Sequence, residues 1–180
     1  MKNITRYRTL DSWLRSRHGE KVQKIPLDAG SGCPNRDGTL GTGGCSFCNA
    51  AGSGSGRACE SFEKQWEYWR GRLSRSPRTK NVKRYLGYIQ SFTNTYGPAS
   101  RLASLLQGLE GLPGLVGACV GTRPDCVDEE KMALMASVPW PEFWLELGLQ
   151  SHRGDTLARI NRGTAPPTPK RPCASRQNMA

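Results

Sequence analysis

Three cysteines stand close together early in the chain. Cys33, Cys45 and Cys48 are spaced C-x11-C-x2-C in the segment GCPNRDGTLGTGGCSFC. A C-x2-C pair with a third thiol nearby suits metal or iron–sulfur chemistry, because a thiolate is a soft, anionic ligand and the short spacing lets two of them face one centre. Three thiolates satisfy three irons of a 4Fe-4S cube and leave the fourth open to a further ligand, which is a catalytic rather than a closed electron-transfer arrangement. Cys59 completes an alternative set of four, C-x11-C-x2-C-x10-C, and structural zinc is four-coordinate. Spacing alone does not separate the two. The chain holds seven cysteines, an odd number that cannot all pair as disulfides. Cys119 reads as a small core residue, Cys126 as structural, and Cys173 belongs to the tail.

The elements around these residues alternate. A short helix is expected near Leu10–Arg17, then a strand over Ile25–Gly30. Residues 30–56 form a long loop carrying nine glycines. Ordered loops of that length are uncommon and usually functional, and glycine lets the chain fold tightly around an inorganic core. Phe62, Trp66, Trp69 and Leu73 then recur at helical spacing within Cys59–Leu73. That stripe reads as core packing, not as a base-stacking platform. Strands follow at Tyr85–Phe92, Leu115–Gly121 and Phe143–Leu149. Between and after them come helices opened by Pro98 (with Leu102, Leu105, Leu106 and Leu109 on one face), at Asp128–Val138 and at Asp155–Asn161. Strand–helix alternation points to an α/β fold with a mainly parallel sheet. In the last strand Leu145, Leu147 and Leu149 alternate with Glu146, Gly148 and Gln150. One face is therefore expected to pack under helices. The other, inward in a barrel, presents a carboxylate that is costly unless paired or solvated.

Composition bounds the function classes. With 36% apolar residues and 21 glycines in 180 the chain is neither collagen-like nor wholly disordered. No run approaches the roughly 18 apolar residues of a membrane span, and MKNITRYRTL lacks the apolar core of a signal peptide. The expected location is cytoplasmic, where cysteines serve metals or catalysis rather than disulfides. The net charge of +11 favours an anionic partner. The basic cluster from Arg70 to Arg84 reads equally as an RNA-binding patch or, more simply, as a solvated helix face and loop. After Gly163 the tail TAPPTPKRPCASRQNMA, with four prolines and no acid, is expected to be disordered.

Several blocks, in order, resemble the radical S-adenosylmethionine superfamily, in particular its YhcC-type branch, which is related to the radical domain of the elongator catalytic subunit. They are LDAG-x-GCPNRDGT, GTGGC-x-FCN, GSG, YIQSFTNTY, GTRPDC, LELGLQS and INRG, and the similarity runs from about Tyr7 to Gly163. The aromatic Phe47 just before the last cysteine is characteristic and favours iron over zinc. The resemblance implies a partial (β/α)6 TIM-like barrel, here about the first four βα units (residues 1–163). It implies a 4Fe-4S cluster on Cys33, Cys45 and Cys48, with S-adenosylmethionine chelating the open iron and being cleaved reductively to methionine and a 5′-deoxyadenosyl radical. An electron donor such as flavodoxin or ferredoxin follows. Phe47 would lie near the adenine, Gln90, Asn94 and Thr95 near the methionyl group, Arg123 after the third strand, and Glu146 and Gln150 on the fourth. Arg123 reads equally as a structural ion-pair residue, and Pro34–Asp37 as shaping the loop. The elongator kinship and the basic charge make RNA a candidate substrate. The resemblance stops where Asn-Arg-Gly meets Thr164, so a C-terminal truncation is expected, with strand four a bare edge open to oligomerisation. Two readings compete with the enzyme: a zinc module on Cys33, Cys45, Cys48 and Cys59 with nucleic-acid affinity, and an inert remnant.

Overall fold

The computed structural model describes residues 7–164. The proline-rich tail, apart from Thr164, lies outside them. The elements run α1 (Leu10–His18), β1 (Val22–Leu27), α2 (Phe62–Ser74), β2 (Arg84–Ile89), α3 (Ala99–Gln107), β3 (Leu115–Thr122), a short 3₁₀ turn (Pro124–Cys126), α4 (Glu129–Ala136), β4 (Glu142–Leu147) and α5 (Gly154–Arg159). The four strands form one parallel sheet in the order β1-β2-β3-β4. The expected α/β alternation is present, and its strands lie side by side as successive βα units of an open arc.

Helix starts follow local chemistry. Ser61 and Asp128 cap α2 and α4 by accepting from the amides of Lys64 and Lys131, as short polar side chains do at an exposed helix start. The Ser61 cap puts the start of α2 at Phe62, after Cys59. Helix α3 ends at Gln107, yet Leu109 beyond it is fully buried.

The sheet has two unlike faces. Ile25, Leu27, Tyr85, Ile89, Ala118 and Val120 pack with Trp66 of α2, the leucines of α3 and Met135 of α4. On the other face α1 covers only the strand beginnings, where Leu14 meets Val22, Leu86, Val116 and Cys119 and Trp13 lies edge-on to Trp144 at 5.5 Å. Further along that face Lys24 Nζ sits 2.9 Å from Glu146 Oε1, and the Tyr88 hydroxyl donates to Glu146 Oε2 at 2.8 Å. The inward carboxylate is thus paired, as the cost of leaving it bare requires.

Several boundaries differ from the sequence reading. β2 stops at Ile89 rather than Phe92, which leaves Gln90 beyond the strand and Phe92 at φ +54°. β1 begins at Val22 rather than Ile25 because Gln23 and Lys24 pair with β2 in register, Val22 opposite Arg84 through Leu27 opposite Ile89. Pro26, which lacks an amide hydrogen, is tolerated because β1 is an edge strand. β4 ends at Leu147. The chain then turns, with the Gly148 amide donating to the Thr122 carbonyl at 2.9 Å and Gln150 at φ +68°. Only Leu145 of the expected apolar face packs on the core. Leu147 and Leu149 are 51% and 45% exposed, and Gln150 is off the strand.

Trp66 is the largest fully buried side chain, and its indole N–H donates to the Pro113 carbonyl at 3.2 Å. Trp66→Ala should cost about 3–5 kcal/mol, read as a lower urea midpoint against the parent chain.

Candidate functional site

The cysteines lie on the loop between β1 and α2, at the carboxyl ends of the strands, where α/β proteins gather their sites. The loop supplies part of its own frame. The Arg36 amide donates to the Cys33 carbonyl at 2.9 Å, the Gly44 amide to the Asn35 carbonyl at 2.7 Å, and the Cys48 amide to the Cys45 carbonyl at 3.0 Å. Gly44, just before Cys45, has φ +71°, and a Cβ there would lie 2.7 Å from Arg36 Nε. A side chain would be strained and would push Arg36 aside. Arg36 itself donates to the carbonyls of Cys48 (3.1 Å) and Asn49 (2.7 Å).

The rest of the frame comes from the far end of the described chain. Asn35, 1% exposed, donates to the Asn161 carbonyl at 2.6 Å. Asn161 donates to the Gly44 carbonyl at 2.7 Å, and the Ser46 amide donates to the Ile160 carbonyl at 3.0 Å. Arg162 is buried and donates through Nη2 to the Gly148 carbonyl at 2.5 Å. Its Nη1 points at Cys45 Sγ, 3.5 Å away, and the Asn35 amide nitrogen lies equally near that sulfur. Arg162 Nε is buried with no hydrogen-bond partner among the described residues.

Electrostatics fit the same picture. Burial pushes the Cys48 thiol up, the Cys45 thiol adds to this, Arg36 opposes it, and Cys33 and Arg162 act on it in opposite senses. The Cys48 thiol thus lies within electrostatic reach of both other cysteines and of two arginines. Cys45 is buried, Cys33 and Cys48 half-buried, and Cys59 exposed. Among the described residues no three His, Cys, Asp or Glu side chains converge as the ligands of a single metal ion. The guanidinium and amide donors turned on the Cys45 sulfur, with a spare buried N–H beside them, suit an anionic sulfur at this position.

The other sequence-derived residues fall into two groups. Asn94, Thr95 and Arg123 are buried and bonded within the protein. Asn94 donates to the carbonyls of Ile89 (3.0 Å) and Gly121 (2.8 Å) and accepts from Ser31 at 2.6 Å. Thr95 lies 2.6 Å from the Thr122 hydroxyl and donates to the Cys126 carbonyl at 2.7 Å. Arg123 grips Asp125 with two bonds, 2.9 and 2.7 Å, and donates to the Arg162 carbonyl at 2.9 Å. Phe47, Gln90 and Gln150 are exposed, while Glu146 is held by Lys24 and Tyr88. Burial, then the bond to Glu146, pushes Tyr88 up to about 12. Asn161 and Arg162 went unassigned in the sequence reading, although both stand in the INRG block.

No family model matches the chain. Curated proteins do. YhcC of Escherichia coli is 42% identical over 153 residues, 83% of this chain and 48% of that protein. YtqA of Bacillus subtilis is 39% identical over 160 residues, 87% of this chain and 49% of that protein. The chain is similar to the YhcC-type proteins. MJ0486 of Methanocaldococcus jannaschii extends the similarity, at 32% identity over 161 residues, 84% of this chain and 46% of that protein. The chain spans about half the length of these YhcC-type relatives, and none of their names states an activity. No helix among the described residues is long and apolar enough to cross a membrane.

Burial alone would raise the Asp125 carboxyl, but Arg123 outweighs it and holds the carboxyl below its usual value of 3.8. Its pairing therefore stabilises the fold fully above pH 3.8 and less as pH falls through the lowered value. Asp125→Asn should cost about 2 kcal/mol at neutral pH. That is less than a fully buried pair, because the Asp125 side chain is 34% exposed. The variant should also flatten stability against pH below about 4, as measured by thermal melts across an acid series.

Proposed function

We propose that the chain holds a 4Fe-4S cluster on Cys33, Cys45 and Cys48 and works with S-adenosylmethionine as a radical S-adenosylmethionine enzyme. When bound, the pair supplies reductive cleavage of the sulfonium to methionine and a 5′-deoxyadenosyl radical that takes a hydrogen atom from substrate. The observation that carries this reading is the Cys45 sulfur, buried and faced by Arg162 and Asn35, within a loop that carries two further cysteines at the carboxyl end of the sheet. Hydrogen bonds to cysteine sulfur stabilise the charge that a reduced cluster adds.

The protein's own work divides along lines of exposure. Phe47, Gln90 and Gln150 are free to touch S-adenosylmethionine. Asn94, Thr95 and Arg123 are positioning residues that lock the strand ends and, through Arg162, the cysteine loop. Glu146, with Lys24 and Tyr88, keeps the inner face polar and charge-balanced. The electron comes from a donor of the flavodoxin or ferredoxin kind.

Anaerobic reconstitution with iron and sulfide tests it. The expected outcome is about four irons per chain, a brown chromophore, and a paramagnetic resonance signal on dithionite reduction that changes when S-adenosylmethionine is added. Cys33→Ala, Cys45→Ala and Cys48→Ala should each lose the iron, and Cys59→Ala should keep it. Zinc in place of iron, with loss on Cys59→Ala, would overturn the cluster. A cluster signal indifferent to S-adenosylmethionine would overturn the enzyme.

A further inference from the structure

The longest stretch of sequence without an acid lies outside the cysteine loop. From Tyr68 to Leu109 the sequence contains no Asp or Glu and eight Lys or Arg. Four of the eight, Arg72, Arg75, Arg78 and Lys80, lie exposed on α2 and the loop after it, and Lys64 precedes them on the same helix. Lys64, Tyr68 and Arg72 follow one another by one helical turn along the exposed face of α2, Arg75 caps its end, and Arg78 and Lys80 continue in the following loop, all exposed. Among the described residues none of these five cations enters an ion pair. Opposite charges at i,i+4 spacing would stabilise such a helix, and none of these cations is so paired. Here the exposed acids Glu63 and Glu67 stay on the flank of the stripe.

In the middle stands Tyr68, 38% exposed and the one large apolar side chain exposed on α2. The Arg57 guanidinium lies 3.3 Å over its ring, and Arg72 donates to its hydroxyl at 3.4 Å. Tyr68, Arg72, Arg75 and Ser76 line a shallow recess. A cationic track with an aromatic ring backed on one side by arginine suits phosphates in series with a base on the ring. A lipid surface is the poorer fit, since no second apolar side chain stands ready to insert.

We infer that the outer face of α2 and the loop behind it form a docking surface for single-stranded nucleic acid, with Tyr68 stacking on a base while Lys64, Arg72 and Arg75 meet phosphates. The stripe starts beside the cysteine end of the sheet, where Ala58 lies against Gly30, and runs to the opposite end. It positions a polymer and does not depend on the cluster.

The test is fluorescence anisotropy of a short labelled single-stranded RNA titrated with the full chain, as purified and after cluster reconstitution, over a salt series. The logarithm of the affinity should fall linearly with that of salt. The Arg72→Gln, Arg75→Gln double variant should weaken binding and reduce the slope by about 1.4, roughly 0.7 for each phosphate no longer neutralised. Tyr68→Ala should weaken binding about tenfold, whereas Tyr68→Phe retains it, since stacking needs the ring and not the hydroxyl. Circular dichroism should be unchanged in all of these, as the residues are exposed. Three results would each overturn the inference: no binding at low salt, binding indifferent to these variants, or equal competition by polyglutamate or phosphatidylserine vesicles.

Discussion

A loop as long as residues 28–61, with no ladder of its own, holds a shape only if its backbone groups find partners elsewhere. Most of this protein's polar architecture answers that requirement. Asn161 sits at φ +50°, a conformation asparagine tolerates better than most residues. There it offers its carbonyl to Asn35 and its amide to Gly44 at once. Arg162 bridges the β4 turn to the Cys45 sulfur, and Arg123 holds the Arg162 carbonyl. The loop's far limb is held differently. Asp28 accepts from Ser91 at 2.6 Å, and a Cβ at Gly54 would lie 2.5 Å from Asp28 Oδ2. That approach admits only glycine.

The clamp has a consequence for order of assembly. Its partners are separated by well over a hundred positions in sequence, and contacts of that span carry the largest loop-closure cost. The cysteine loop becomes fixed only once β4 and α5 have docked. It is also the first part expected to open when they fray. A site built this way is coupled to the integrity of the whole sheet although it uses none of the sheet's hydrogen bonds.

The same dependence explains what could be read from the sequence and what could not. The leucines of α3, the Phe62–Leu73 stripe and the strand–helix alternation are local periodicities, and each element appears where its pattern stands. Lys24 broke the pattern of β1, because a lysine in a strand looks like a boundary until Glu146, 122 positions away, is seen to neutralise it. Leu147 and Leu149 misled in the opposite sense, since alternation marks a face but not whether anything covers it. The spacing of Cys33, Cys45 and Cys48 was legible. The roles of Asn161 and Arg162 were not, because nothing in a short asparagine–arginine–glycine block says which distant carbonyl or sulfur it serves. Asn94 and Thr95 stand in the segment that follows β2, but their polar atoms are spent on the ends of β2 and β3, on Ser31 and on the turn after β3.

Charge divides the molecule by task. Around the cysteines each cation has a fixed anchor: Arg36 on two carbonyls, Arg162 on another, Arg123 on Asp125. Such groups are already ordered, so they can balance buried sulfur charge without reorganising. Along α2 Lys64 and Arg72 are exposed and in no ion pair among the described residues. They release counterions rather than protein partners when an anion arrives, and that release is what makes polyanion binding favourable and salt-dependent. Fixed cations suit a small resident group held in one geometry, and free ones suit a long partner that must slide into place. One chain presents both, joined through residues 57–60 at the start of α2. The proposed docking surface and the cysteine loop are therefore parts of one βα unit, and a change in the seating of α2 would be felt at both.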